Sequence, residues 1–175
     1  SSPSEGSSTV KLMYIISIVS AKKSIYISNA YFVPDADTRR ALETAVRRGV
    51  DVRVIVPGEK TDVPIVRHAS RWHYEMLLRR GIRIYEYEPT MMHSKTMVVD
   101  GIWSTVGSSN FDDRSFRLND EVNVNVYDEE VAAEMETMFM DDLARSHEVN
   151  LRKWFRRPMF DRIKENFADL FKRQL

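Results

Sequence analysis

The chain has 175 residues, 43% of them apolar and 30% charged, with a formal net charge of zero, a composition that is typical of one globular domain and excludes an intrinsically disordered chain. Without net charge there is no overall field that attracts nucleic acid or anionic lipid, so such a partner would need a local patch. The absence of cysteine excludes disulfides, thiolate catalysis and cysteine-ligated zinc.

The chain begins with the polar stretch SSPSEGSS. This stretch has neither the basic start nor the cleavable apolar core of a signal peptide, so we expect residues 1–9 to be a linker or a cloning remnant. The longest apolar run nearby, residues 12–19, has eight residues, whereas a membrane-spanning helix needs about 20. We therefore predict one domain over residues 10–175, cut from a longer protein and without a spanning segment.

Helix and strand patterns alternate through the first half of the chain. An acidic cap at Asp35 or Asp37 and a stop at Gly49 delimit the best-marked helix, and β-rich runs between the helices predict strands. The predicted elements are helix 10–23, strand 24–32, helix 35–49, strand 51–57, helix 63–80 and strand 82–88.

The second half of the chain is richer in strand patterns. The predicted elements are strands 93–100, 102–110 and 121–127, helix 129–147, and a helical tail over about residues 150–175. Alternating strands and helices, followed by several strands in succession, predict an α/β fold in which helices flank both faces of a mixed β-sheet.

The predicted strand HSKTMVVD, residues 93–100, carries polar side chains where apolar ones would pack better. The period of two of a strand places His93 and Lys95 on one face. Asp100 falls on the other face, which argues against a direct contact with His93. We therefore expect Asp100 to anchor the turn at Gly101.

Small polar groups follow in the next two predicted strands. Ser108 and Asn110 would share one side of an extended segment, directly after Gly107, a residue type that allows close approach of the backbone. The alternation in residues 121–127 predicts a core-facing row formed by Val122, Val124 and Val126. The opposite row consists of Glu121, Asn123 and Asn125. Glu121 is the unusual residue of this row, because it would lie beside His93 and Lys95.

Together these side chains suit chemistry on a phosphodiester. The neutral imidazole of His93 can attack phosphorus and form a phosphohistidine. A carboxylate on its other ring nitrogen, for which Glu121 is our candidate, would hold the tautomer. Lys95, Ser108 and Asn110 can bind the non-bridging oxygens. The sequence contains no cluster of metal ligands, so we predict no metal and no other cofactor, with Lys95 neutralising the phosphate charge.

The same residues resemble the phospholipase D superfamily. HSKTMVVD fits its H-x-K-x4-D signature, and GSSN at residues 107–110 and Glu121 lie where that family has a Gly-Ser-x-Asn segment and a glutamate. The stretches SNAYFVPD, ALETAVRRGVDVRVIVPG and SSNFDDRSFRLNDEVNV are similar to the C-terminal half of bacterial cardiolipin synthases. The resemblance therefore covers nearly the whole chain.

The resemblance implies an enzyme with two lobes, each carrying one H-x-K-x4-D motif, that share one active site. One histidine takes the phosphatidyl group, and the other acts as acid and then as base. The implied reaction moves phosphatidyl from one phosphatidylglycerol to a second and releases glycerol, without a metal. It also implies a membrane-associated enzyme of the bacterial cytoplasmic membrane.

One departure from that pattern is large, because no other histidine has a lysine two residues later. Half of a two-histidine site is therefore missing. Either the chain is a fragment without its N-terminal lobe, which we favour, or two copies build a shared site by two-fold symmetry. We expect the isolated chain to be catalytically weak or inactive.

Three other functions stay open at this point. Phospholipid hydrolysis or head-group exchange would follow if water or another alcohol reached the phosphohistidine. A dimeric nuclease would need a basic groove, and the zero net charge counts against a nucleic-acid partner. From a different class, the chain would be a non-catalytic binding module left by truncation.

The segment LRKWFRRPMF, residues 151–160, combines four basic residues with Trp154, Phe155 and Phe160. That composition fits a membrane interface, but aromatic residues packed on the core with arginines outside explain it about equally well. The apolar residues of the tail at helical spacing predict packing on the core or on a second lobe; they are Phe160, Ile163, Phe167, Leu170 and Phe171.

Other residues near the motif have simpler explanations beside functional ones. Tyr31 would either line the substrate mouth or pack in the core. The family resemblance places the polar loop at residues 112–115 near the site, although hydrogen bonding within the loop explains it equally well. We expect His68, His73 and His147 to lie on solvated helix faces.

Overall fold

The computed structural model describes residues 9–117 and 119–157. Residues 1–8 of the linker predicted over 1–9, and residues 158–175 of the tail predicted over about 150–175, lie outside this part of the chain, whereas Thr9 is the first residue of a helix. The described helices are α1 (Thr9–Ser20), α2 (Ala36–Arg47), α3 (Pro64–Arg79), α4 (Asp113–Arg117), α5 (Glu129–Ala144) and α6 (Leu151–Phe155). The described strands are β1 (Ser24–Asn29), β2 (Asp51–Pro57), β3 (Arg83–Tyr87), β4 (Lys95–Val99), β5 (Trp103–Gly107), β6 (Asn123–Tyr127) and β7 (Ser146–Glu148).

The seven strands in the described residues form one mixed sheet in the order β6-β5-β4-β1-β2-β3-β7. Strands β1, β2 and β3 run parallel, and α2 and α3 connect them. The remaining strands are added in antiparallel pairs. Helices α1, α2, α3 and α6 pack on one face and α5 packs on the other. The predicted α/β fold, with helices on both faces of a mixed sheet, is confirmed.

The ends of α2 follow from the residues that flank it. The carboxylate of Asp35 accepts a hydrogen bond from the backbone N–H of Thr38 at 2.9 Å, which satisfies one of the free N–H groups of the first turn. Asp35 rather than Asp37 is therefore the cap. At the other end the chain turns through Gly49, whose φ of 88° is a left-handed conformation that a side chain would strain.

Strand β1 lies inside the sheet and is largely buried on both faces. Ile25 and Ile27 belong to the larger core under α1 and α2. On the other face Tyr26 stacks on Phe139 of α5, with ring centroids 4.9 Å apart. Since neighbouring side chains of a strand point to opposite faces, a strand covered on both faces also buries its polar residues. In β1 these are Ser24, Ser28 and the fully buried Asn29.

The valine row that the sequence predicts to face the core is exposed, so that prediction is wrong. Val122 and Val124 are 74% and 56% exposed, and Val126 is half-buried. These residues lie on or next to β6, the outer strand of the sheet. Alternation identifies the two faces of a strand, but the neighbouring elements decide whether a face is covered.

Two histidines lie elsewhere than predicted. The helix α5 ends at Ala144, and His147 lies in β7 opposite Glu86 of β3 rather than on a helix. His73 is on α3 as predicted, but it is buried rather than solvated. His68 is half-buried on the same helix. Strand β7 forms by pairing with a distant segment, which local periodicity does not reveal.

Candidate active site

Several strands begin or end at one edge of the sheet, which we call the site edge. Strands β1, β2 and β5 end there, whereas the antiparallel strands β4 and β6 begin there. The strand pairing places Asn29 opposite Lys95 and Gly107 opposite Asn123. All predicted catalytic and phosphate-binding residues lie at or near these strand ends; they are His93, Lys95, Ser108, Asn110 and Glu121.

His93 lies just before β4 with its side chain about half-exposed, and a carboxylate is next to its ring. Its Nδ1 is 3.2 Å from Oδ2 of Asp62, in the segment after β2. The hydroxyl of Tyr31 donates to the same carboxylate oxygen at 2.7 Å, and the Tyr31 ring meets the imidazole edge-on with centroids 5.6 Å apart. A proton on Nδ1 facing Asp62 would leave Nε2 with its lone pair directed elsewhere.

The electrostatics of this cluster match its contacts. Partial burial opposes ionisation of Asp62, but the Tyr31 hydrogen bond and the nearby His93 outweigh it and hold the pKa of Asp62 below its ordinary value. Burial, together with the hydrogen bond and charge of Asp62, raises the pKa of Tyr31 to about 12. Tyr31 is therefore a neutral donor at physiological pH. It lies beside His93 and Asp62, and its role at the substrate mouth stays a prediction.

Lys95 is the first residue of β4 and is buried. Its Nζ donates to the backbone carbonyl of His93 at 3.1 Å and lies 6.0 Å from the centroid of the Tyr31 ring. Burial lowers the pKa of Lys95, while the charges of Asp62, Glu121 and Asp112 oppose that shift. The ammonium group is thus held beside His93 in the range of three carboxyl groups.

Ser108 and Glu121 are joined across the ends of β5 and β6. The hydroxyl of Ser108 donates to Oε2 of Glu121 and accepts from the backbone N–H of Val122 at 3.0 Å. Gly107 makes this approach possible, because a Cβ there would lie 2.3 Å from the carbonyl oxygen of Val122. Asn119 donates to Oε1 of Glu121 at 3.3 Å. The role of Glu121 as orienter of His93 stays a prediction, and Asp62 is the carboxylate measured beside that ring.

Asn29 ties the end of β1 to the segment that carries Asn110. Its side-chain oxygen accepts from the backbone N–H groups of Tyr31 and Phe111, both at 3.2 Å. Asn110 itself is buried, and its Oδ1 has no hydrogen-bond partner among residues 9–117 and 119–157. The signal for Asn29 in the sequence is an amide residue at the end of a β-rich run.

Asp112 is a buried carboxyl group close to this site. Its Oδ1 accepts from the backbone N–H of Ser115 at 2.6 Å, so it caps the short helix α4. Burial and the charge of Glu121 raise the pKa of Asp112 to about 6, against the opposing effect of the Ser115 hydrogen bonds. The loop hydrogen bonding and the position near the site, which the sequence offers as alternatives, are therefore both present.

Asp100 lies at the other end of β4, away from the site edge. Its carboxylate accepts hydrogen bonds from three consecutive backbone N–H groups, those of Lys22, Lys23 and Ser24, at 2.8, 2.7 and 2.9 Å. Its φ of 57° is positive, which aspartate tolerates better than most residues. Asp100 therefore connects the β4–β5 turn to the beginning of β1.

The described side chains can perform nucleophilic chemistry on phosphorus at the site edge. An imidazole with a carboxylate at Nδ1, an ammonium group and hydroxyl and amide donors are present within one short segment of the sheet edge. No group of three or more histidine and acidic residues in the described ranges is arranged to hold a metal ion. Among the same residues, no helix combines the length and apolarity needed to cross a bilayer.

Asp62 is the main residue at the site that sequence reasoning missed. It lies in GEKTDVP, a polar connection after β2 that carries no recognisable pattern. Its contact with His93 joins residues far apart in the chain, and the pairing of β1 with both β2 and β4 brings the two together.

Sequence comparisons identify the family and several relatives of this chain. The family model described as "Cardiolipin synthase, PLD-like domain" matches residues 14–143. A probable cardiolipin synthase of Bacillus subtilis is 43% identical over 159 residues, which cover 91% of this chain and 32% of that protein. A cardiolipin synthase of Staphylococcus aureus is 38% identical over 170 residues, which cover 97% of this chain and 34% of that protein. The chain thus spans about a third of the length of these relatives.

Solved structures share the fold at low sequence identity. The phospholipase D family member Nuc of Salmonella typhimurium superposes with a TM-score of 0.70 at 22% identity, covering 80% of this chain and 90% of that one. A phosphatidylserine synthase of Haemophilus influenzae superposes with a TM-score of 0.67 at 15% identity, covering 94% of this chain and 42% of that one. With the family match over most of its length, the chain belongs to the phospholipase D-like domains of the cardiolipin synthase family.

Proposed function

We propose that this chain is one catalytic lobe of a phosphatidyltransferase of the cardiolipin synthase type, with phosphatidylglycerol as donor and acceptor. Its relatives named cardiolipin synthase, at 43% and 38% identity, support the reaction class. The observation that carries the proposal is the convergence of His93, Lys95 and Ser108 at one edge of the sheet, in a chain of this family.

The reaction proceeds in two displacements with a phosphohistidine between them. In the first, an imidazole nitrogen attacks the phosphorus of the donor, the bond from phosphorus to the glycerol oxygen breaks, and that oxygen takes a proton from a second histidine. In the second, the hydroxyl of another phosphatidylglycerol gives its proton to the second histidine and attacks phosphorus, and the bond to imidazole breaks. His93 is one member of this pair, as nucleophile or as acid and base.

The other site residues bind the phosphate and orient the reacting groups. The ammonium group of Lys95 and donors from Ser108 and Asn110 hold the non-bridging oxygens, whose charge the transition state redistributes. Glu121 accepts from Ser108 and so orients that hydroxyl, beside its proposed role toward the imidazole. Asp62 is a second candidate for holding the His93 tautomer, because it lies at Nδ1.

The balance of charge at the site edge supports a second lobe. Asp62, Asp112 and Glu121 all act on Lys95, and a phosphodiester anion placed among carboxylates is bound poorly unless further cations are added. A second H-x-K-x4-D lobe would supply both a histidine and a lysine. That lobe is either another part of a longer chain, since the relatives are about three times as long, or a two-fold related copy.

The identity of the acceptor separates this proposal from phospholipid hydrolysis. The hydroxyl of a second phosphatidylglycerol as acceptor at the phosphohistidine makes cardiolipin, whereas water makes phosphatidic acid. The names of the relatives favour the alcohol. A lipid donor and a lipid acceptor both reside in a bilayer, so the proposed enzyme works at a membrane surface, which we assign to the bacterial cytoplasmic membrane.

The test uses the full-length gene product and phosphatidylglycerol in detergent micelles, with cardiolipin and glycerol as the measured products. We expect His93→Ala to lower turnover by about 10³-fold or more, because the pair of histidines acts as a unit. The matched control is His147→Ala, an exposed histidine of β7, which should retain full activity. Ordinary activity in His93→Ala would overturn the mechanism, and phosphatidic acid as the main product of the wild type would identify a hydrolase.

A further inference from the structure

Helix α3 has a second apolar stripe on the side that faces away from the core. Ile65 and Trp72 are 39% and 38% exposed, and Met76 is half-buried. Their spacing of seven and four residues places them along one face of the helix. Other residues of α3, such as the buried Tyr74, pack against the core. The exposed Trp72 is therefore not explained by core packing.

Helix α6 lies beside the end of α3 and extends this surface. Trp154 is buried in the core, whereas Phe155 is 41% exposed and lies 4.7 Å from the guanidinium carbon of Arg79. Arg152 and Arg156 are both exposed. Arg152 shares a helix face with Phe155, because residues three apart are neighbours on a helix, and Arg156 directly follows the last residue of α6. Core packing therefore explains one aromatic residue of this segment and leaves the other on the surface.

A cavity of about 620 Å³ opens on the same side of the molecule. Its lining includes Trp72 and four arginines, Arg39, Arg79, Arg80 and Arg157. Arg79 pairs with Glu75 and Arg80 with Glu43. Arg39 donates to a backbone carbonyl oxygen at 2.7 Å, which is a neutral acceptor, so its positive charge is available to an anion.

We propose that this side of the molecule docks on an anionic lipid bilayer. The α3–α6 surface is defined by Ile65, Trp72, Arg79, Arg152, Phe155 and Arg156. Exposed aromatic residues at headgroup depth, with arginines that meet lipid phosphates, are the features of such a contact. Aromatic residues and arginine are also enriched in protein interfaces, so a protein partner is the alternative that the test has to separate. The formal net charge of the chain is zero, so the attraction is local to this surface.

The position of the surface fits a site that takes its substrate from the bilayer. The stripe on α3 begins at Ile65, three residues after Asp62, whose carboxylate lies next to His93. The Ile65 end of the surface is therefore adjacent to the site edge, and the surface extends from there along α3 to α6, toward the opposite edge of the sheet. The inference rests on the proposed function only for the choice of lipid, since phosphatidylglycerol is anionic.

The test measures binding of the 175-residue chain to sedimented vesicles of phosphatidylcholine alone and of equal parts phosphatidylcholine and phosphatidylglycerol. We expect binding to the anionic vesicles that weakens with added salt. The double variant Arg152→Gln/Arg156→Gln should lower affinity by about tenfold or more, since each basic residue near an anionic surface contributes about fivefold. The double variant Trp72→Ala/Phe155→Ala should lower it by a similar factor.

The matched control is Tyr127→Ala/Arg145→Gln, which removes an exposed aromatic residue and an exposed arginine from other parts of the surface and should bind as the wild type does. Thermal unfolding of every variant verifies that it is folded. If the aromatic variant does not fold, the arginine variant still tests the proposal. Equal binding of all variants, or equal binding to both kinds of vesicle, would overturn the proposal.

Two further measurements separate this proposal from its alternatives. If light scattering shows a dimer that Trp72→Ala/Phe155→Ala dissociates, the surface is a protein interface and the proposal fails. His93→Ala should bind vesicles as the wild type does, because His93 is not part of the α3–α6 surface. Failure of the proposed transfer reaction in micelles therefore leaves vesicle binding intact, and failure of vesicle binding leaves the reaction in micelles intact.

Discussion

Strands β4 and β6 have similar alternating sequences and opposite environments. In β4, KTMVV, four of the five residues are buried, whereas in β6, NVNVY, three are exposed and two are half-buried. The difference arises from position, because β4 lies between β1 and β5 and β6 is the outer strand of the sheet. A β pattern therefore predicts period and direction of side chains, while the neighbours of the strand decide burial.

Both strands nevertheless contribute to the site, because both begin at the site edge. Lys95 begins β4 and is itself part of the proposed chemistry. Asn123 begins β6 and supports the site instead. Its side chain donates to the hydroxyl of Tyr14 at 2.8 Å and accepts from the backbone N–H of Ser109 at 3.4 Å. The comparison thus separates the end of a buried strand that carries the proposed chemistry from the end of an exposed strand that supports it.

The largest difference between the two strands should appear in turnover. Lys95→Met keeps the packing of the side chain and removes its charge, so we expect turnover of the full-length protein to fall by about 10²- to 10³-fold, the usual cost of losing a group that stabilises the transition state. Asn125→Met, at an exposed position of β6, is the control and should leave turnover unchanged. Comparable losses in both variants would break the comparison.

The connection between β5 and β6 should make stability depend on pH through Asp112. Its folded pKa of about 6 lies above its ordinary value of 3.8, so the folded state holds an extra proton between these values. The resulting stabilisation is complete below about pH 4 and is lost as pH rises through about 6, by about 2 to 3 kcal/mol. Urea unfolding from pH 4 to 7 should show this change in the wild type relative to Asp112→Asn, and parallel curves would contradict it.

The contrast in burial can be measured with one substitution at two sites. Val99→Ala in β4 removes two buried methyl groups, and we expect the free energy of unfolding to fall by about 2 kcal/mol. Val124→Ala in β6 should change it by less than about 0.5 kcal/mol, since that side chain is exposed. Urea unfolding of both variants gives the two values. Equal losses would show that a partner covers β6 in solution.

The smallest of these effects concerns the carboxylate that neighbours the reactive end of β4. Asp62→Asn removes the charge beside Nδ1 of His93, and we expect turnover to fall by about tenfold, as for other groups that orient a functional histidine. The same substitution should lower the pKa of Tyr31 from about 12, which an ultraviolet titration detects. Unchanged turnover together with a lowered Tyr31 pKa would restrict Asp62 to a structural role.

Much of the fold could be predicted where local residues decide the outcome. The strand predicted at residues 51–57 coincides with β2, because a β-rich run is bounded there by a glycine and a proline. The helix that Asp35 and Gly49 delimit was predicted for the same kind of reason. Strand β7 and the buried His73 could not be predicted in this way, since pairing with β3 and packing against the core involve residues far away in the chain.

The residues of the candidate site also differ in whether the sequence alone could predict them. His93, Lys95, Ser108, Asn110 and Glu121 could be recognised from motif and spacing, since they lie in two short segments, 93–95 and 108–110, and at one position shortly after them. Asp62 and Asn29 could not, because each acts on a residue more than 30 positions away. Nor does spacing reveal that Asp112 is buried enough to shift its pKa.

The sequence by itself determined the family, the polar residues at the reactive end of β4 and the turn role expected of Asp100, because these depend on residue type and local spacing. The tertiary structure alone decided that Asp62 neighbours His93, that the valines of β6 are exposed, and that Phe155 remains on the surface while Trp154 is buried. The physical reason is common to all three. Burial and contact are properties of the neighbours that the fold brings together, and a strand or helix pattern contains no record of those neighbours.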